Sequence, residues 1–270
     1  MLRRLNGTVL FFVVMVCAWE TISFFVGTDK LPHLYAVISS IRTSLFHDAI
    51  IEAQGGGTAG YSSHLAATFL TMLLSLWIGT TAGAVLSLVC FQHPATRALH
   101  DSFVETFRVV PPLIFAPFAL VFLGPTRGAI ILIPAIYSFF SISVHAVNGL
   151  QNIPRNYLHL SRIYGSSKIQ TMCKVQLPAL LPELAGALRI TSALNLGVVI
   201  VAEYLGAPAG IGRVFKFAIS YNNLDLILVG IFWAVAIAVA MDALIVLVAK
   251  ICLRWTTRES LGQAIDKMAT

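Results

Sequence analysis

The sequence predicts an all-α membrane protein with six transmembrane helices, and three observations carry that prediction. First, the 270 residues are 57% hydrophobic and only 11% charged, with a mean hydropathy of +0.83. Soluble domains carry about a quarter charged residues, and a soluble fold this apolar would expose large sticky patches. Second, six apolar stretches are long enough to cross a bilayer, which takes about 20 residues: 8–27, 65–91, 103–124, 128–150, 184–206 and 225–253. Third, with six crossings and a cytoplasmic N-terminus, 13 of the 18 lysines and arginines fall on the inner side. Basic residues favour the cytoplasmic face, so both termini are expected inside, and the net charge of +6 reads as topology rather than affinity for nucleic acid.

Each element follows from its residues. Arg3 and Arg4 before an apolar run resemble a signal peptide, but Trp19, Glu20 and the lack of a small-x-small cleavage site predict an uncleaved span. Residues 28–64 are expected outside, with a surface helix over 34–46 (Leu34, Val37, Ile38, Ile41 and Leu45 at helical spacing). The glycines of 55–60 read as a flexible linker, because no Gly-Lys-Ser/Thr follows to complete a phosphate loop. Gly79, Ala82 and Gly83 predict a close helix contact, within the chain or against a second copy. Pro111, Pro112 and Pro117 remove helical hydrogen bonds, so the 103–124 span is expected to be kinked and covered by protein. The expected division is an N-terminal unit 1–63, a core 64–254 with a cytoplasmic loop 151–182, and a cytoplasmic tail 255–270.

The loop 151–182 interrupts the apolar pattern. Pro154 suits a helix start, with Asn152 or Ile153 near the cap, and Tyr157, Leu160, Ile163 and Tyr164 recur on one helical face. Gly165 supplies the left-handed residue that ends a helix. Ser166 or Ser167 is placed to cap a second short helix, and Pro178 and Pro182 are expected to end it before the next span. Such a segment reads as a docking element or, more blandly, as an amphipathic loop on lipid headgroups.

Gly165 followed by Val175-x-Leu177-Pro178 resembles the coupling loop of ABC import permeases. His159, Leu160 and Ser161 stand where that family has Glu-Ala-Ala, a departure from the pattern. "FRVVPPLIFAPFALVFLG" (107–124), "LPALLPELAGALRI" (177–190), "AEYLGAPAGIG" (202–212) and "DLILVGI" (225–231) are similar, in the same order, to permeases for nitrate, sulfonates and taurine. The resemblance covers about His64 to Arg254. It implies a type I importer permease with the MetI-like fold, working by alternating access as an inner-membrane subunit. The implied partners are a second permease copy, two cytoplasmic ATPase subunits and an extracytoplasmic substrate-binding protein. It implies a coupling role for His159, Leu160, Ser161, Gly165, Lys168, Val175, Leu177 and Pro178. ATP and magnesium would bind the partner ATPase, with no cofactor in this chain, and the cargo would be a small, anionic solute. A neutral or aromatic nutrient is the rival cargo, and an ion-coupled secondary transporter the rival class.

Ionisable groups inside spans are expensive and need a reason. Glu105 and Arg108, one helical turn apart, are expected to form an ion pair. With Pro111, Pro112 and Glu203 they are the candidates for a gate or solute path. Asp242 and His145 read as bundle-facing polar partners, and Glu20 as reaching the interface. No catalytic set is expected, because the chain has no Gly-x-Ser-x-Gly. Four scattered cysteines without CxxC spacing give neither a metal site nor a disulfide framework.

Overall fold

The computed structural model describes residues 2–27, 30–53 and 56–254, and among these every regular element is a helix. The predicted tail 255–270 lies outside the described residues. Helix α1 (Leu2–Val26) leads to a connecting segment with α2 (Leu34–Thr43) and α3 (Ala49–Ala53). The core follows as α4 (Gly60–Cys90), α5 (Pro94–Phe107), a 3-10 turn (Pro112–Phe115), α6 (Ala116–Leu123) and α7 (Arg127–Gln151). Helices α8 (Arg155–Ile163) and α9 (Lys168–Thr171) and a π turn (Met172–Gln176) connect to α10 (Leu177–Gly206), α11 (Ile211–Ser220) and α12 (Leu224–Cys252).

Among the described residues, α4, α7, the run Lys168–Gly206 and α12 are long and apolar enough to cross a membrane. The predicted 103–124 span is not a single rod. Helix α5 and the Pro112–Leu123 stretch meet at a bend of 83°, because Pro111 and Pro112 supply no N–H to continue the ladder. If the bent pair counts as one span, the core has five. Helix α1 covers the first predicted span, with its described apolar part at Val13–Val26. The surface helix ends at Thr43 rather than residue 46.

Packing is centred on α7. A Cβ at Gly79 would stand 2.5 Å from the Ala135 carbonyl oxygen, and one at Gly83 2.7 Å from that of Phe139. These two glycines therefore let α4 lie directly on α7, and they form a seam inside the chain rather than a face for a second copy. Asn195 on α10 is fully buried and ties three helices. Its amide donates to the Pro134 carbonyl (3.0 Å) and to Ser138 Oγ (2.8 Å), while Ser75 Oγ donates to its Oδ1 (3.2 Å). Met72, Leu76, Leu196, Val199, Met241 and Ile245 fill the space between α4, α10 and α12.

Two further expectations are corrected and one is extended. Gly56 is not part of a loose linker: its N–H bonds to Ile51 O (2.8 Å) and its carbonyl to His64 Nε2 (2.9 Å). Glu20 has a local role as well: its carboxylate accepts from Leu34 N–H (2.9 Å) and pairs with His33 Nδ1 (2.7 Å), holding the start of α2. Pro178 and Pro182 do not end the preceding helix. The Leu177 N–H reaches back five residues to Met172 O, and this widened π turn displaces the carbonyls that Pro178 would otherwise strike. Lys168–Gly206 is thus one helical run of 39 residues, about 58 Å at about 1.5 Å per residue, against a hydrocarbon core of about 30 Å.

Candidate coupling segment and solute path

The loop 151–182 folds as a helix, a glycine turn and a second helix. Pro154 itself occupies the cap position before Arg155, with extended backbone. At the far end Gly165 takes φ +68°; its N–H bonds to Arg162 O (2.9 Å) and that of Ser166 to Ser161 O (3.0 Å). This pair of bonds is the Schellman motif, which needs a left-handed residue at the glycine position. Nothing lies within 4 Å of where a Cβ would stand, so backbone conformation alone demands glycine there. Ser167 caps α9 in a reciprocal box: its Oγ accepts from Gln170 N–H while Gln170 Oε1 accepts from Ser167 N–H.

The segment is anchored on one side and bare on the other. Ser161 is buried and its Oγ lies 3.2 Å from Thr171 Oγ1, clamping α8 to α9. Leu158, Met172 and Leu177 pack on the core around Leu88, Ile142 and Leu180. Gln92, after α4, donates to Gln176 Oε1 (2.7 Å) in the π turn. Opposite this base, Tyr157, Leu160, Ile163, Tyr164 and Ile169 are 51 to 80% exposed. His159 and Lys168 are exposed beside them, and Val175 and Pro178 are half-buried at the base.

The path candidates separate into two places. Arg108, Pro111 and Pro112 line a cavity of about 620 Å³ in the elbow of the bend, faced by Tyr137, Ser141 and His145 of α7. Glu105 is absent from this cavity but shares with Arg108 a smaller one of about 270 Å³, alongside Asp101 and Asn148. The expected Glu105–Arg108 ion pair does not form; Arg108 has no ion-pair partner among the described residues, and the acidic partner in this region is Asp101, 3.5 Å from Arg97. His145 Nδ1 lies 3.9 Å from Glu183 Oε1, and Asp242 pairs with Arg189.

Glu203 stands apart near the C-terminal end of α10. It is 1% exposed. Its Oε2 accepts from Thr68 Oγ1 (2.9 Å) and from Gly212 N–H (3.1 Å). Thr68 Oγ1 in turn accepts from Ile211 N–H (2.9 Å), and His64 Nδ1 from Gly210 N–H (3.0 Å). Since Nδ1 accepts, the ring proton is on Nε2, which donates to Gly56 O. Gly210, at φ +125°, packs against the Glu203 carboxylate so closely that a Cβ would overlap it. The loop between α10 and α11 is thus knotted to α4 and α10 through one carboxylate. Thr68, His64 and Asn195 escaped the sequence reading; the signal was present as single polar residues within apolar helical runs.

The same arrangement of helices recurs in known transporters. A family model described as binding-protein-dependent transport system inner membrane component matches residues 75–258. The taurine transport system permease protein TauC of Escherichia coli is 25% identical over 231 residues, 85% of this chain and 82% of that protein. The nitrate import permease protein NrtB of Synechococcus elongatus is 24% identical over 247 residues, 88% and 86% of the two chains. The formylaminopyrimidine transport permease protein ThiX of Halalkalibacterium halodurans is 26% identical over 205 residues, 75% and 77%. An inward-facing structure of the MetNI methionine ABC transporter shares the fold, with a TM-score of 0.58 over 72% of this chain and 95% of its own, at 22% identity. With most of its length matched by the family model, the chain is a transport subunit rather than an enzyme, and it belongs to the inner membrane components of binding-protein-dependent transport systems.

Proposed function

We propose that this chain is the permease of an ATP-driven importer and that it carries a small anionic solute into the cytoplasm by alternating access. The observation that carries the reading is the segment 155–178: a rigid base packed on the core, a glycine turn and a bare apolar face with basic rims. A large exposed apolar patch outside the bilayer marks a protein contact, and the occupant is the cytoplasmic ATPase. Because the part after the glycine turn, from Lys168, continues without a break into α10, motion of the ATPase would reach Glu203 at the other end as movement of one rod. His159, Leu160, Gly165 and Lys168 would meet the ATPase, while Ser161, Val175, Leu177 and Pro178 fix the segment to its base.

Two copies of this chain, both termini cytoplasmic, would enclose the path, with the solute delivered from outside by a binding protein. The bend carrying Glu105, Arg108, Pro111 and Pro112 would gate the inner side, and the Glu203 knot the outer side. An anionic cargo is supported by the taurine and nitrate relatives and by Arg108 in the elbow cavity. The formylaminopyrimidine relative supports the second reading, a neutral heterocycle. The test is uptake into proteoliposomes holding this chain, its ATPase and its binding protein. ATP-dependent accumulation of nitrate or a simple alkanesulfonate supports the proposal. Uptake confined to an uncharged pyrimidine supports the second reading, and uptake without ATP refutes both.

A further inference from the structure

We infer that the elbow cavity is an anion-binding site, with Arg108 as the charged ligand and the hydroxyls of Tyr137 and Ser141 and the imidazole of His145 as hydrogen-bonding partners. The inference deepens the anionic-cargo reading and rests on it.

Tyr137, Ser141 and His145 fall at intervals of four along α7, so they stack on one helical face, and all three line the cavity. Ser141 Oγ is held 2.7 Å from Thr191 Oγ1 on α10, which fixes it in place. Arg108, the C-cap of α5, lines the same cavity. A guanidinium offers five donors and remains charged. Among the described residues it finds no carboxylate, although Arg97 and Arg189 each find one. Arg108 is exposed to the cavity, so its donors are open to an incoming anion. Phe140, whose ring lies against Phe103 and Phe107, closes one wall without competing for the anion. At about 620 Å³ the space is within the roughly 300–1,000 Å³ typical of small-molecule sites. Arg108 also borders the smaller cavity that holds Asp101 and Glu105.

A charge-selective thiol probe tests the site without knowledge of the cargo. In the complete importer, with Cys17, Cys90, Cys173 and Cys252 replaced by serine, Ser141→Cys is modified by an anionic sulfonatoethyl or a cationic trimethylammonium-ethyl methanethiosulfonate. Each rate is normalised to that of a free thiol in solution. The anionic reagent is expected to react about tenfold faster, a factor equal to about 1.4 kcal/mol. Arg108→Gln should abolish the preference and Arg108→Lys should keep most of it. Val144→Cys, on the same wall, serves if Ser141→Cys does not assemble. Equal or faster reaction of the cationic reagent, or a preference that survives Arg108→Gln, overturns the site. Charge selectivity without ATP-driven uptake would instead refute the importer reading and leave the site standing.

Discussion

Arg189 on α10 grips Asp242 on α12 through two parallel hydrogen bonds, Nε to Oδ1 at 2.6 Å and Nη2 to Oδ2 at 3.0 Å. Both residues lie well inside helices that are long and apolar enough to span a bilayer, where a lone charge is costly. The two-point geometry fixes the rotation of α12 about α10 as well as their separation. Asp242→Asn leaves the guanidinium unpaired, and the expected loss of stability is about 1–3 kcal/mol. It would be read as a faster thermal inactivation of the purified protein. The reversed pair, Arg189→Asp with Asp242→Arg, should recover most of that loss. Single variants as durable as the parent would show that the pair does not hold these helices.

Asn195 joins α4, α7 and α10 by three hydrogen bonds. Interhelical hydrogen bonds inside membranes are worth about 0.6 kcal/mol on average, so Asn195→Leu should cost about 2 kcal/mol, with Ser75 and Ser138 left unsatisfied. Asn195→Asp should be worse, because a carboxylate cannot donate to the Pro134 carbonyl. Thermal inactivation of the two variants checks the order; equal behaviour would mean the donor side of Asn195 does not matter.

The Gly79 seam admits no side chain. Gly79→Ala forces α4 away from the Ala135 carbonyl, and overpacking of this kind costs about 1–3 kcal/mol. Ala82→Gly on the same helix should be mild by comparison. The yield of folded, monodisperse protein measures the difference, and a fully stable Gly79→Ala protein would contradict the close α4–α7 contact.

The Glu203 knot predicts a graded series at position 203. Glu203→Gln keeps an acceptor for Thr68 and Gly212 and should preserve binding-protein-stimulated ATP hydrolysis. Glu203→Ala strands both donors and frees the loop that Gly210 packs against the carboxylate. It should lose most stimulation while basal hydrolysis remains. If Glu203→Gln were as impaired as Glu203→Ala, the charge rather than the hydrogen-bonded scaffold would be the active feature.

Elements governed by local rules were readable from the residues alone. Gly165 announced its left-handed turn, and the cap was narrowed to Ser166 or Ser167, because each acts on backbone groups within a few positions. Membrane class and most helices followed from apolar runs. What escaped depended on distant partners. Pro178 looked like a terminator because a π turn is not written in any short motif. The 83° bend at Pro111–Pro112 looked like a kink, since proline announces a break but not its angle. Glu105 and Arg108 had pairing distance along an ideal helix, yet both are exposed, where an ion pair gains little over solvation by water. His64, Thr68 and Glu203 lie up to 139 positions apart and meet only after α4 and α10 have packed.

The most direct test of the account compares two substitutions at Gly165 in the complete importer. The turn demands φ near +68° and leaves open space for a side chain, so the outcome should follow backbone preference rather than size. Asparagine enters the left-handed region readily, whereas valine does not. Gly165→Asn should keep at least about half of the binding-protein-stimulated ATP hydrolysis and uptake. Gly165→Val should abolish both, with the chain still inserted and its core intact. Normal stimulated hydrolysis in Gly165→Val would contradict the claim that this segment transmits energy from the ATPase.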